Sequence, residues 1–438
     1  MENNMSDKSA SGAPLRLGIA GLGTVGIGVV KIIRRQAQLL EARAGRPVVI
    51  TAVSARSKDK DRGIDLSGYA WEDDAVDLAK RDDVDVFIEL MGGHDGPAKA
   101  SVEAAIAAGK DIVTANKALL AHHGQELALA AEEAGVRLRY EAAVAGGIPV
   151  IKALTEGLAG NDIIRVMGVM NGTCNYILTQ MQATGRGYNA LFEECAELGY
   201  LEADPNLDVG GIDAGHKLAI LSSIAFGTQV NFDAVELEGI QRIQLEDIEH
   251  AAEMGFRIKL LGVAQMTGRG LEQRMSPCLV PEASPLGQLE GGTNMVVIEG
   301  DAIEQVVLRG PGAGEGPTAS AVMGDVMDIA RGFSLPTFGQ PARTLRPVNG
   351  AKAAKPAPYY IRLTLLDKPG ALAKVAAVLG DAAVSIDRMR QISHEKERAP
   401  VLIVTHKCTR DALDTALSGL AKTGVVDGEP VAIRIEKV

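Results

Sequence analysis

The sequence predicts an α/β protein in three parts: a doubly wound parallel sheet, a mixed α+β segment, and a C-terminal β-α-β-β-α-β unit of the ferredoxin-like kind. Three observations predict it. Short apolar runs alternate with helical periods from residue 15 to residue 134, the pattern of parallel strands joined by crossover helices. The texture then changes to strands separated by polar turns. After a stretch holding three prolines at 344–358, six further elements follow in the ferredoxin order.

Taken in order, Leu15–Ala20 reads as a buried strand running into Gly21-Leu22-Gly23-Thr24-Val25-Gly26, after which Val29, Ile32 and Ile33 continue at helical spacing. Pro47–Val53 and Val84–Leu90 read as strands, and Ser101–Ala108 as an alanine-rich helix. A strand at Asp111–Thr114 and a helix at Lys117–Ala134 complete the first part. In the second part, strands are expected at Ile163–Met170, Met275–Val280, Asn294–Glu299 and Ala302–Leu308. Helices are expected at Ala190–Leu198 and Asp213–Phe226. A helix at Thr318–Gly332 is positioned to return to the first domain. Thr344–Pro358 reads as an exposed linker. Strands at Tyr359–Leu366, Val384–Gln391, Val401–His406 and Val431–Glu436, with helices at Gly370–Leu379 and Arg410–Thr423, make the last part.

Composition narrows the function. With 46% hydrophobic residues the chain can bury a large core, and only 3% are aromatic against 50 glycines, so Ala, Val, Leu and Ile must fill it. A net charge of −11 without a basic patch argues against a nucleic-acid partner. No apolar window is long enough to span a membrane. Met1–Ala13 is polar and lacks the order of a secretory signal, which suggests a disordered leader. Four scattered cysteines without a C-x-x-C pair suit a reducing cytoplasm.

Gly21, Gly23 and Gly26 satisfy G-x-G-x-x-G between a strand and a helix, the setting of a Rossmann-type dinucleotide site; a plain tight turn is the alternative. After the second strand stand Ser54-Ala55-Arg56-Ser57-Lys58 in place of the usual acid. A guanidinium there suits a 2′-phosphate, so NADP is preferred and NAD stays open; the plainer alternative is that Arg56 and Lys58 are solvated loop charges. Lys117 opens a helix, where the macrodipole disfavours a cation unless an anion or carbonyl is near.

Five acidic residues lie between Glu197 and Asp213, interleaved with Gly199, Pro205, Gly210 and Gly211. Asp213 and Lys217 share a helix face with Ile220, Leu221 and Ile224, so Lys217 points inward. A desolvated lysine suits proton transfer, while the plainer reading is an i, i+4 ion pair with Asp213 as cap. Cys174 is a nucleophile candidate with no nearby histidine, and buried cysteines are usually inert.

The blocks GLGTVG, TANKALL (114–120), YEAAVAGGIPVI (140–151), GVMNGTCNYIL (168–178), LGYLEADPNLDVGGIDAGHKLAIL (198–221) and GPGAGEGPTASAVMGD (310–325) together resemble homoserine dehydrogenase. The segment around Leu366-Asp367-Lys368-Pro369-Gly370-Ala371-Leu372 is similar to an ACT domain. The resemblance implies NAD(P)-dependent interconversion of L-aspartate 4-semialdehyde and L-homoserine in threonine, methionine and isoleucine biosynthesis. It implies Lys217 as acid/base, Lys117 as a second active-site lysine, and Gly199, Glu202 and Asp213 as substrate-binding positions. Cofactor positions carried over are Leu22, Thr24, Val25 and Gly314, with Arg56 less securely placed.

It also implies a monovalent cation (Na+ or K+) near Glu141, Val144, Gly146 and Ile148, a threonine effector at the ACT domain, and a homodimer or homotetramer. The expected division is a leader at 1–14 and a cofactor domain at 15–145 completed by 311–345. A catalytic and dimerisation domain follows at 146–310, then a linker at 346–357 and the ACT domain at 358–438. An acylating semialdehyde dehydrogenase using Cys174, and a non-catalytic sensor, are the competing readings.

Overall fold

The structure is a computed structural model that describes residues 12–201, 204–351, 355–391 and 398–437. The leader expected at 1–14 therefore falls almost wholly outside the described residues. Contacts divide the chain into two compact units, one of 1–161, 219–232 and 310–347, the other of 162–218, 233–309 and 348–438.

The first unit is built on a parallel sheet of six strands, β1 (Leu15–Ala20), β2 (Val48–Ser54), β3 (Ala70–Glu72), β4 (Val86–Glu89), β5 (Asp111–Thr114) and β6 (Leu138–Arg139). Their order, β3-β2-β1-β4-β5-β6, is that of a Rossmann fold, with the strand order reversing between β1 and β4. β1 is buried from Leu17 to Ala20 because helices cover both faces. The sequence reading overlooked β3, β6 and the helix Ala75–Lys80, each too short to show a period.

Helix Glu315–Ala330 packs on helix Thr24–Ala44 in this unit. Gly28 permits the contact: a Cβ there would stand 2.8 Å from the Glu315 carbonyl oxygen and 3.0 Å from Ala319 Cβ.

The second unit holds a mixed sheet made from β7 (Ile163–Val169), β8 (Glu236–Leu237), β9 (Phe256–Thr267), β10 (Gly270–Pro281), β11 (Thr293–Gly300), β12 (Glu304–Pro311), β13 (Tyr359–Leu366), β14 (Ile386–Gln391), β15 (Arg398–Thr405) and β16 (Val426–Ile435). The path is β12-β11-β7-β9-β10-β16-β13-β15-β14, with β8 beside β10. The long β9–β10 hairpin is the main element missed by the sequence reading, which expected only Met275–Val280. Helix Gly172–Thr184, capped by the Asn171 side chain, was also missed.

The last six elements have the expected β-α-β-β-α-β order, and helices Ala371–Asp381 and Arg410–Ala421 bury Val375, Leu379, Leu413, Ala416 and Leu420 against the sheet. The sheet does not stop there. β16 joins β10 in parallel through the pairs Cys278–Arg434 and Leu279–Ile435, so the C-terminal strands extend the sheet of the preceding segment. A charge cluster seals the join: Arg274 reaches Glu272 at 3.0 Å and also Glu436, while Arg434 donates to Glu436 at 2.9 Å.

The stretch 344–358, expected to be exposed, is partly docked. Leu345, Ala351 and Ala357 are buried, the Leu271 N–H donates to the Asn349 carbonyl, and the Ala357 N–H donates to the Cys408 carbonyl.

Candidate active site

Two sets of sequence-predicted residues assemble, one in each unit. In the first, β1 ends at Gly21, whose φ of +100° forms the turn that starts helix Thr24–Ala44. A Cβ at Gly21 would lie 2.4 Å from the Leu90 carbonyl oxygen, and one at Gly26 would lie 2.0 Å from the Gly21 carbonyl oxygen. Only glycine fits either position. Around Gly23, in contrast, nothing stands within 4 Å of a Cβ position. Gly23 and Thr24 are exposed and Val25 is half-buried, with the first N–H groups of the helix beside them; this is the cradle a pyrophosphate requires.

Leu22 is buried, and its carbonyl accepts from Arg62 Nε at 3.3 Å. Arg62 also donates to the Ser57 carbonyl at 2.6 Å and lies over the Trp71 ring, so it shapes the loop that carries Arg56. The sequence reading did not single out Arg62; its place after the second strand was the available signal. Arg56 is exposed. Gly314, at φ +115°, caps helix Glu315–Ala330, which the Gly28 contact brings against the glycine-turn helix.

Lys117 is the first residue of helix Lys117–Ala134 and is half-buried. A buried chain of hydrogen bonds sets its position. Thr114 donates to Glu89 at 2.6 Å, the Asn116 N–H donates to Thr114 at 2.9 Å, and Asn116 Oδ1 caps the helix at the Leu119 N–H. Burial pushes the Glu89 carboxyl above its usual range, against hydrogen bonds from Thr114 and from the Met91 and Gly92 N–H groups. The predicted sites at the strand ends thus rest on Glu89, which sequence reasoning did not find.

Val144 and Ile148 flank a tight turn in which Ala145 and Gly146 have φ of +57° and +47°. Glu141 is buried, and its carboxylate accepts the Ile151 N–H at 3.0 Å and the Lys152 N–H at 2.8 Å. Burial, then repulsion from Asp325, raises the Glu141 carboxyl to about 7.

In the second unit, Lys217 is 8% exposed on helix Ile212–Phe226. Its ammonium donates to Asp213 Oδ2 at 2.7 Å and to the Met170 carbonyl at 2.9 Å. The ion pair of the plainer reading therefore forms, and the inward orientation holds as well. Three further contacts converge on residues 170–174. Asn171 Nδ2 donates to Asp208 at 2.9 Å, the Cys174 thiol donates to the Asp208 carbonyl at 3.3 Å, and the Thr173 hydroxyl donates to the Tyr200 carbonyl at 3.0 Å. The Met170–Thr173 corner is thus the hub that gathers the acidic loop and Lys217. The strand-Asn-Gly-Thr junction in the sequence was the signal for it, and it was read there for its cysteine and as a family block, with no positioning role given to it.

Gly199 turns the chain at φ +69° before Tyr200. Glu202 lies outside the described residues. Cys174 is buried, and burial pushes its thiol well above the ordinary value, which opposes a thiolate role.

Residues 149–327 match the family model described as homoserine dehydrogenase, residues 21–141 its NAD-binding domain, and residues 359–423 the ACT domain. The homoserine dehydrogenase of Neisseria gonorrhoeae is 41% identical over 437 residues, covering 97% of this chain and 99% of that protein. The chain belongs to the homoserine dehydrogenase family. The Bacillus subtilis homoserine dehydrogenase is 35% identical, covering 96% of this chain and 98% of that one.

Among solved structures, the homoserine dehydrogenase of Thiobacillus denitrificans superposes with a TM-score of 0.91 at 38% identity, over 98% of this chain and 99% of that one. A hyperthermophilic archaeal homoserine dehydrogenase mutant in complex with NADPH gives 0.63 at 26% identity, over 73% and 99%. This homoserine dehydrogenase is accordingly an NAD(P)-dependent oxidoreductase that interconverts L-aspartate 4-semialdehyde and L-homoserine, and it carries a C-terminal ACT domain. No described helix is long and apolar enough to cross a membrane.

Proposed function

We propose that Lys217 is the proton donor and acceptor of this reaction, with Asp213, Gly199 and Glu202 holding the substrate. The observation that carries this is the buried ammonium with two fixed acceptors. An ammonium has three N–H groups, and the chain uses two of them, which leaves one for a substrate oxygen. In the reduction direction Lys217 gives a proton to the carbonyl oxygen, and in oxidation it recovers that proton from the hydroxyl. Asp213 holds the side chain in place for both. A bound nicotinamide supplies or accepts the hydride.

Gly21, Leu22, Gly23, Thr24, Val25, Gly26 and Gly314 form the cofactor's phosphate cradle in this reading, and Lys117 contacts cofactor and substrate. Arg56, with Arg62 shaping its loop, favours NADP over NAD; the NADPH complex of the archaeal relative agrees. The cation reading, at Glu141, Val144, Gly146 and Ile148, is supported by the turn of Val144–Ile148, where Ala145 and Gly146 are left-handed. Carbonyl oxygens suit Na+ or K+.

The division of labour proposed is cofactor binding by 15–145 with 311–345, catalysis and dimerisation by 146–310, and regulation by 358–438. Threonine is the proposed effector, at the Asp367–Leu372 loop, in a cytoplasmic homodimer or homotetramer. The deciding experiment is Lys217→Ala, assayed for turnover and, separately, for NADPH binding. Loss of turnover with cofactor binding retained supports the role, and retained turnover ends it.

A further inference from the structure

The turn after β4 carries a cluster outside the residues assigned above to the dehydrogenase reaction. His94 and Asp95 stand on the loop leading into helix Pro97–Ala107, and His123 on helix Lys117–Ala134 faces them. Ligand atoms of these three residues lie within 4.8 Å of one another, the only such group among the described residues. His123 Nε2 is 2.9 Å from Asp95 Oδ1, and His94 Nδ1 is 2.9 Å from Asp95 Oδ2. Yet His94 Nδ1 is shielded from water and lacks hydrogen-bond alignment with any partner. The ring nitrogen thus stands beside the Asp95 carboxylate without hydrogen-bonding it, an arrangement that suits a shared cation.

The surrounding shell has the matching form. The other ring nitrogen of His123, Nδ1, is 3.0 Å from Glu126 Oε1, and Lys99 Nζ holds the same carboxylate oxygen at 3.0 Å. A carboxylate behind a histidine fixes the tautomer that turns the opposite nitrogen toward a metal. The His94 ring is held by His122, with centroids 4.3 Å apart, and His122 in turn meets Phe232 edge-on at 5.3 Å. The His94 and Asp95 side chains are 44% and 66% exposed, so an ion can enter from solvent.

We propose that His94, Asp95 and His123 form a binding site for a borderline divalent transition metal of the Zn2+ class. Two imidazoles and one carboxylate select such ions over Mg2+ or Ca2+, which prefer all-oxygen shells. Zinc bonds of about 2.0–2.1 Å need ligand atoms about 3.3 Å apart, within reach of small rotamer changes. A bound ion cross-links the loop, which contains the left-handed glycines Gly92, Gly93 and Gly96, to the helix that begins at Lys117.

The test uses the full-length chain, stripped with EDTA and exchanged into chelator-free buffer, then titrated with Co2+ and followed by visible absorption. The expected result is one saturable equivalent per chain with d–d bands that Zn2+ displaces. His94→Gln and Asp95→Asn should each abolish the bands while circular dichroism stays native. Glu126→Gln should weaken Co2+ binding about 10–100-fold. Absence of saturable bands in the unaltered chain overturns the proposal, and so does their persistence in both ligand variants.

Discussion

Lys217 Nζ and Asp213 Oδ2 are 2.7 Å apart on successive turns of one helix, both buried beside the Met170 carbonyl. The pair makes a charged donor available where water is scarce, at the cost of desolvating two ions. Lys217→Ala is therefore expected to lower kcat by about 10²–10⁴-fold with little change in NADPH affinity. Rapid-mixing kinetics beside equilibrium cofactor titration separates the two. Asp213→Asn is expected to raise KM as well as lower kcat, since it loosens both the lysine and the substrate.

Gly28→Ala places a methyl group 2.8 Å from the Glu315 carbonyl oxygen and 3.0 Å from Ala319. Overpacking of this kind costs about 1–3 kcal/mol. Because the pushed helix begins at Gly314, the variant should also weaken NADPH binding. Denaturant midpoints and fluorescence titration read the two effects.

Glu141 gives a pH dependence with a defined sign. Its carboxyl is raised to about 7 by burial and then by Asp325, whose own carboxyl burial also raises. The native chain therefore holds a proton that the unfolded chain has released. Stability from this group is fully present below the ordinary carboxylate range and is lost as pH rises to about 7. Glu141→Gln should flatten the slope of stability against pH between 5 and 7, roughly the interval between the two pKa values. Urea unfolding at several pH values measures it.

Arg362 donates to the fully buried Asp247 at 2.6 Å, and Tyr360 joins the same carboxylate at 3.1 Å. Arg362→Ala leaves that charge without its cation, an expected loss of about 3–5 kcal/mol. Arg362→Lys should restore part of it, as urea denaturation will show.

The proposed threonine effector predicts an inhibition that is lost in Asp367→Ala, with uninhibited kcat unchanged. Steady-state assays of homoserine oxidation with and without threonine check this.

The sequence carried those parts of the molecule that announce themselves locally. The glycine turn, the inward face of Lys217 and the final β-α-β-β-α-β order all follow from spacing or backbone conformation within a few residues. What escaped depends on distant partners. β3 and β6 exist because a parallel edge receives them, and three or two residues hold no readable period. Glu89 looked like the polar end of a strand, yet the Thr114 hydroxyl and two N–H groups make it a buried anchor. The Met170–Thr173 hub was hidden because its carbonyl and cap contacts lie with residues 27–47 positions away.

The pairing of Cys278 and Leu279 with Arg434 and Ile435 makes the ACT domain a continuation of the preceding sheet and not an appendage. Severing the chain at residue 350 would bare the flank of β10 and strand Arg274 without Glu436, inviting aggregation. Transplanting this domain onto another protein would mean splicing two halves of one pleated surface, so it is best re-engineered in place, residue by residue.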